Sequence, residues 1–519
     1  MSVPSFSLRD SDGEDRTFPG ERPALLCFVH RDCPTCLLSL PVIEAAHAGF
    51  GSRMDVWVIA QDQDGGAKLR EEHTLSVPVL DDSELEISFA SEIETVPTVI
   101  EFGPGGEENR RFVGFSATDW KRLFSDAAAA TQLEAEEPDW STFPELRPGC
   151  GSRSVEPGIV ERLQARSEGS PLRARRIEVG SSVDPFEFMF EQGLCDGLPV
   201  VPPTPERVLR MLEGSRRDPQ EVIAEVAPNY APLTVEKVAI NAVMAGCRPE
   251  YLPVVLAGVE AICAPEFNLH GVLATTFFAT PVLLVNGPVR QRIGMNSGIN
   301  CLGQGNRANS TIGRAVQLIV RNVGGGRPGG VDRATLGQPG KLSMCFAEHE
   351  ERSNWEPFHV ERGFAAEAST VTAYAGGAPT GFMDQRARYA RALATSYGLS
   401  LAAVSHPKQY SLGEILVVVP PEHVDTFARD GWTKAQVREQ IQSASERPVR
   451  ELARDPQCAE GLPEAVVRRL GADRCIPKFR SADDIALVVA GGEAGKFGAY
   501  FQGWIGSGGS AMTTREIGE

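Results

Sequence analysis

The sequence predicts an α/β protein built as a small N-terminal domain, a linker and a larger α/β domain. Three observations carry this. Short apolar runs bounded by Gly or Pro read as buried strands: Ala24–His30, Asp55–Ala60, Pro281–Asn286, Glu414–Val419 and Asp484–Ala490. Helix-compatible segments lie between them, the alternation expected of α/β folds. Residues 129–180 break the pattern, being Ala-rich, then acidic, then rich in Arg, Gly, Ser and Pro, which is linker composition. The expected boundaries are therefore 1–128, 129–180 and 181–519, the last with room for two subdomains, since 519 residues suffice for two to four cores.

Composition narrows the function classes. A formal net charge of -18 argues against nonspecific binding to nucleic acid or to anionic membrane, while leaving room for a local basic patch. Met1–Arg16 is polar and shows no leader pattern, and no uncharged apolar run reaches 18 residues, so a cytoplasmic protein is expected. Eleven cysteines without tight spacing do not read as a secreted disulfide framework, and most are expected to be reduced, several as small buried apolar residues.

In the N-terminal part, Ala24–His30 leads into Arg31-Asp32-Cys33-Pro34-Thr35-Cys36, and a helix is expected through about His47. A cysteine at a helix N-terminus meets free N–H groups and the positive end of the dipole, which lower its pKa from about 8.5 toward about 7 or below. Cys36, three residues on, is placed to resolve a mixed disulfide. His30 reads as a solvated strand-end residue. Downstream, Asp55–Ala60 is a second strand, Gly66–His73 a short helix, and Glu94–Phe102 with Arg110–Gly114 a hairpin turned by Gly103-Pro104-Gly105-Gly106; Trp120–Ala130 closes the domain as a helix.

Over residues 3–128 this order, with Cys33/Cys36 and Val96-Pro97-Thr98, resembles the thioredoxin superfamily, nearest its thiol-oxidoreductase and peroxiredoxin-like branches. The resemblance implies a redox-active Cys33–Cys36 disulfide and a cis Pro97 against it, where the substrate backbone is received. Two departures matter: the usual Trp-Cys-Gly-Pro-Cys is here Asp-Cys-Pro-Thr-Cys, and His30 stands where a peroxidatic site carries Thr or Ser. Disulfide reduction, not peroxide reduction, is what remains implied. In the linker, a short helix is expected at Ile159–Ser167, and Cys150 reads as an incidental thiol.

The large domain offers four clusters. Cys195–Thr204, with three prolines, is a stiff loop before a helix. Asn300–Arg314 is a glycine-rich loop opening onto a helix, an anion-binding pattern in which Asn306 and Arg307 would bind substrate and Arg314 adds charge. Cys345-Phe346-Ala347-Glu348-His349, with His359 beyond, joins thiol, imidazole and carboxylate; with His270 these residues suit acid–base or thiol catalysis, or a divalent metal on His349 and His359. Gly491–Phe497 fails the spacing of a nucleotide phosphate loop but leaves Lys496 for an acidic substrate. Residues 184–515 resemble a poorly characterised bacterial family associated with small UGSC-type selenoproteins, on Asp196–Thr204, Glu236–Glu250, Asn268–Gly271 and Trp355–Pro357. That resemblance implies thiol or selenol chemistry without a reaction.

The leading expectation is a redox enzyme in which Cys33, Cys36 and Pro97 exchange electrons with a catalytic large domain, using residues such as His270, Cys301, Asn306, Cys345, Glu348, His349, His359 and Lys496. Its partners would be a small-molecule or thiol/disulfide substrate and a cellular reductant, with self-association left open. The alternative is a metal- or thiol-dependent lyase or hydrolase whose Cys301 or Cys345 the N-terminal domain keeps reduced. A third is a non-catalytic docking module.

Overall fold

The computed structural model describes residues 3–156, 159–160, 163, 169–177, 179–180, 182–504 and 509–518. The chain divides into two compact units, Met1–Glu178 and Val179–Glu519.

The first unit begins with a hairpin, β1 (Phe6–Arg9) and β2 (Asp15–Phe18), followed by β3 (Ala24–Val29), α1 (Pro34–Phe50), β4 (Asp55–Ala60), α2 (Ala67–His73), β5 (Val79–Asp81), α3 (Glu86–Ala90), β6 (Thr95–Val96), β7 (Thr98–Phe102), β8 (Glu108–Val113), β9 (Phe115–Ser116) and α4 (Ala117–Thr131). Five strands form one sheet in the order β5-β4-β3-β7-β8. β3, β4 and β5 are parallel, while β7 and β8 run antiparallel as the expected hairpin. Every residue of β3 is buried, as its uninterrupted apolar run requires of a central strand covered on both faces. The α1 helix starts where Cys33 caps it and Pro34 fills the first position, and Leu40, Val42, Ile43, Ala46 and Phe50 are buried in the core.

The stretch expected to be a linker is, in its first half, part of this unit. Residues 140–156 fold into a 3-10 turn at Trp140–Thr142, β10 (Leu146–Arg147), β11 (Cys150–Gly151) and a second 3-10 turn at Arg153–Val155. β10 pairs antiparallel with β9, and β11 with β6. Phe143 stacks on Phe115 with centroids 5.5 Å apart, and Ser152 and Ser154 are buried. Backbone pairing rather than an apolar pattern holds the segment, so its composition misled. The helix expected at Ile159–Ser167 falls largely outside the described residues.

The second unit carries a hairpin, β12 (Val222–Val226) and β13 (Ala231–Thr234), and a mixed seven-stranded sheet. The sheet contains β14 (Thr280–Asn286), β15 (Cys345–Ala347), β16 (Thr370–Met383) and β17 (Ile415–Val419). After a short separate pair, β18 (Arg447–Pro448) and β19 (Cys475–Ile476), it is completed by β20 (Ile485–Val489), β21 (Phe497–Gly503) and β22 (Thr513–Glu516). Its order is β15-β14-β16-β21-β17-β20, with β22 also on β16. Inward residues from both ends of that order, Val282, Leu284, Phe346, Leu416, Val418, Val488 and Phe501, meet in one cluster, so the sheet curls around them. The alternate residues of β17 and β20 pack against the helices Ala390–Leu401, Pro421–Arg429 and Lys434–Ala444. The edges β15 and β20 approach where the His349 N–H donates to the Val489 carbonyl at 2.7 Å. Helices lie at Val235–Ala245, Arg307–Asn322, Ala390–Leu401 and Lys434–Ala444, the segments between the apolar strands that were expected to be helical. Among the described residues no single helix is long and apolar enough to cross a membrane.

Candidate functional site: three thiols around a helix N-terminus

Cys33 and Cys36 sit at the start of α1, directly after the central strand β3. The Cys36 N–H donates to Cys33 Sγ at 3.3 Å, and Cys33 Sγ lies 3.5 Å from the Val96 carbonyl oxygen, to which it can donate only when protonated. The Val96–Pro97 peptide bond is cis, as the resemblance implied. Both sulfurs are fully buried.

Their electrostatics are opposed. A hydrogen bond from the Cys36 thiol, reinforced by the Cys150 thiol and the N–H groups of Cys36 and Thr35, outweighs burial and pulls the Cys33 thiol down to about 5. Burial first, and then the neighbouring Cys33 anion, drive Cys36 far above its ordinary value. One sulfur is thus a thiolate at neutral pH and the other a protonated reserve, the division that disulfide exchange uses.

Cys150 is the residue that sequence reasoning set aside. In β11 it stands opposite Val96, whose carbonyl is 3.5 Å from Cys33 Sγ, and the neighbouring Cys33 sulfur together with burial raises the Cys150 pKa. The strand is held along its length. Thr35 Oγ1 donates to the Pro148 carbonyl at 2.8 Å, His30 Nε2 lies 3.3 Å from the Gly151 carbonyl, and the Ser152 N–H donates to the Glu94 carbonyl at 2.9 Å. Gln61 binds Ser152 Oγ and the Arg153 N–H, and Arg153 pairs with Asp32 at 2.6 Å and Asp62 at 3.4 Å. His30 is therefore buried under this segment and not solvated as expected. The signal available in the sequence was a cysteine between two glycines, Gly149 and Gly151.

In the second unit the expected site residues fall in several places, and Glu348 Oε1, His349 Nδ1 and His359 Nδ1 are buried without a hydrogen-bond partner among the described residues. Cys301 and Cys345 are buried, and burial pushes Cys301 up to about 11 and Cys345 higher, so neither is the activated thiolate expected of a nucleophile. Glu348 is fully buried; it accepts from Asn286 Nδ2 at 2.5 Å and the Phe358 N–H at 2.8 Å, and burial raises its pKa. Beside it, Glu350 binds Asn286, the Gly287 N–H and Arg290, and lies 3.9 Å from His359 Nδ1. The carboxyl ends of β14 and β15 thus carry a buried polar network. His270 is elsewhere, stacked on Tyr230 in a cleft with Asn268 and Arg515. Among the described residues no three His, Cys, Asp or Glu side chains are arranged to hold a metal ion. Lys496 lies in the turn between β20 and β21, partly buried, with no hydrogen-bond or ion-pair partner among the described residues.

The glycine-rich loop divides its expected roles. Asn306 is a helix cap, accepting from the Asn309 N–H at 3.0 Å and donating to the Gly294 carbonyl at 2.8 Å. Arg314 makes a two-point pair with Asp196, both contacts 2.8 Å, and also holds the Leu198 and Pro199 carbonyls, which braces the proline-rich loop. Arg307 instead faces a cleft of about 990 Å³, together with Arg207, Arg210, Arg216, Arg248 and Arg292. All six are exposed, and among the described residues none has a carboxylate within ion-pair distance. Glu213 and Glu250 also line the cleft, so six guanidinium groups stand with two carboxylates, a net positive site in a chain of net charge -18.

The likeness to solved structures falls on the N-terminal quarter of the chain. No protein-family model matches the chain, and no curated protein matches it in sequence. The resemblance of residues 184–515 to the UGSC-associated family therefore finds no support. Solved structures similar to about a quarter of the chain are thioredoxin-like thiol-disulfide oxidoreductases. StoA from Bacillus subtilis is 22% identical, with 23% of this chain and 94% of that one covered and a TM-score of 0.21. A putative thiol:disulfide interchange protein DsbE from Chlorobium tepidum is 18% identical, covering 25% and 94%, with a TM-score of 0.23. A secreted Mycobacterium tuberculosis disulfide oxidoreductase homologous to E. coli DsbE is 21% identical, covering 24% and 95%, with a TM-score of 0.21. The first unit's own sheet order, its helix-borne Cys33/Cys36 and Pro97 beside them make it a thioredoxin-like domain.

Proposed function

We propose that this chain is a thiol–disulfide oxidoreductase whose first unit exchanges electrons with a substrate handled by the second. The observation that carries the reading is the split of the Cys33/Cys36 pair into a thiolate near pH 5 and a buried, protonated thiol. The Cys33 thiolate attacks one sulfur of a disulfide; the Cys33–substrate bond forms, the substrate S–S bond breaks, and the leaving thiolate takes up a proton. Once Cys33 is neutral, the anion that held Cys36 protonated is gone. Cys36 then loses its proton and attacks Cys33 Sγ, which releases the second substrate thiolate and leaves the Cys33–Cys36 disulfide. Two electrons pass to the substrate, and an external dithiol restores the pair. Full-length reduced protein is expected to reduce one insulin-type disulfide per chain in a single turnover, and to do so catalytically with dithiothreitol. A chain that reduces none would sink the reading.

For the second unit the arginine cleft supports an anionic substrate, with Arg307 among its ligands and Arg210 and Arg248 beside it. Guanidinium groups without carboxylate partners are the natural receptors for phosphate or carboxylate. Saturating inorganic phosphate, compared with chloride at equal ionic strength, is expected to raise the melting temperature of the second unit by roughly 2–4 °C. The rise should vanish in Arg210→Ala/Arg248→Ala. An equal rise in that variant would remove the cleft from consideration.

A further inference from the structure

We propose that Cys150 is an internal exchange partner of Cys33: its strand occupies the groove where an incoming chain would meet the Cys33 sulfur, and a Cys33–Cys150 disulfide forms in exchange for Cys33–Cys36. The inference rests on the dithiol reading above and adds a third redox residue to it.

Access is the first argument. An attacking sulfur must be reached by its target, yet Cys33 has 0% of its surface exposed. What lies over it is the chain's own segment 148–151, joined to α1 through Thr35 and to β6 by backbone pairing. Adding one extended strand to a free backbone edge is how an extended peptide is bound, main chain for affinity and side chain for selection. Here the side chain that the register places opposite Val96 is a thiol, and the Val96 carbonyl is 3.5 Å from Cys33 Sγ.

Shape is the second. A Cβ on Gly149 would lie 2.5 Å from the Val96 carbonyl oxygen and 2.6 Å from Thr95 Cγ2. On the facing side, a Cβ on Gly114 would lie 2.6 Å from the Arg147 carbonyl oxygen and 2.9 Å from the Gly149 nitrogen. Both surfaces carry glycine at their closest approach, so any side chain at either point would push the strand off. Exposure is the third. Of the two thiols that touch Cys33, Cys36 is fully buried while Cys150 is partly exposed, so Cys150 is the one placed to pass a disulfide outward.

The step balances without an added oxidant. The Cys150 thiolate attacks Cys33 Sγ within the Cys33–Cys36 disulfide; that bond breaks, the Cys33–Cys150 bond forms, and Cys36 leaves as a thiolate that takes the proton Cys150 gave up. The number of disulfides is unchanged, and the reverse step restores the starting pair.

The test uses full-length Cys36→Ser and Cys36→Ala, each oxidised with diamide and mapped as non-reduced peptides. The expected product in both is an intramolecular Cys33–Cys150 bridge, absent when Cys150→Ser is added. Cys33 recovered as a reagent adduct or an intermolecular dimer, with Cys150 free, would overturn the proposal. Wild-type protein that fails to form Cys33–Cys36 would instead remove the dithiol reading beneath it. A second variant does not touch the sulfurs. Gly149→Ala is expected to displace the strand and to speed iodoacetamide modification of Cys33 by about tenfold or more, as local opening does for a covered group. An unchanged rate would show that the strand does not cover the site.

Discussion

Serine at position 33 is expected to bring disulfide reduction to the background rate, a fall of at least about three orders of magnitude, the scale on which loss of a nucleophile is felt. The same substitution should erase an ultraviolet step. Thiolates absorb near 240 nm, and the reduced wild-type protein is expected to gain that absorbance with a midpoint near pH 5, where the Cys33 thiol titrates. At pH 6 a thiol of that pKa is roughly nine-tenths ionised, against roughly 0.3% for an ordinary cysteine of pKa about 8.5. The thiols beside Cys33 do not confuse the signal, because Cys36 and Cys150 are both shifted upward. A lower pKa also makes a weaker nucleophile, with a Brønsted slope of about 0.4–0.5, so the rate gain at pH 6 is smaller than the roughly 300-fold gain in thiolate.

Linkage gives the matching stability result. The folded pKa of Cys33 lies below its unfolded value, so the thiolate stabilises the reduced protein fully above the unfolded pKa, near 8.5. That stabilisation is lost as pH falls through about 5. The advantage of reduced wild-type protein over Cys33→Ser in urea should therefore widen between pH 5 and pH 8. A midpoint near 8.5 in the 240 nm titration would refute the assignment of Cys33 as the activated thiol.

What was legible in the sequence was whatever is written in apolar runs and turn residues. Leu25–Val29 reads as a buried strand because every residue is apolar, and Cys33-Pro34 marks a helix start because Pro suits only the first turn. The hairpin was visible in Gly103–Gly106. The long strand β16 was not, because Gly376-Gly377-Ala378-Pro379 has turn composition. In the fold the register shifts there, where β16 passes from pairing with β14 to pairing with β21. The strand carrying Cys150 was hidden for a related reason: it is held by backbone groups and glycines, which leave no hydrophobic period. The six arginines of the cleft come from positions 207 to 307 and converge only on folding. Conversely, Glu348, His349 and His359 are near in sequence and looked catalytic. In the fold Glu348 lies in a buried polar network with Asn286 and Glu350, and the Arg290 guanidinium that binds Glu350 returns the largest stability effect expected of the second unit.

Arg290→Ala is expected to destabilise that unit by about 3–5 kcal/mol, the cost of leaving buried charge without its partner. Arg290 is 5% exposed. Its Nη2 holds Glu350 at 2.7 Å and Glu351 at 3.0 Å, while Nη1 and Nε donate to the Glu348 and Gly287 carbonyls at 2.8 and 2.9 Å. One guanidinium thereby ties the turn after β14 to the loop after β15 and neutralises a group of carboxylates. Without it Glu350 faces the fully buried Glu348 across Asn286, which binds both. Lysine would not restore the arrangement, because a single ammonium cannot span two carboxylates and two carbonyls in a fixed fork. Glu351→Gln removes the more exposed partner and should cost no more than about 1 kcal/mol, as half-exposed pairs do. Urea unfolding followed by fluorescence of Trp355 and Trp432, which lie against the same unit's helical core, reads both variants. Equal, small losses for Arg290→Ala and Glu351→Gln would show that the network is solvated in solution.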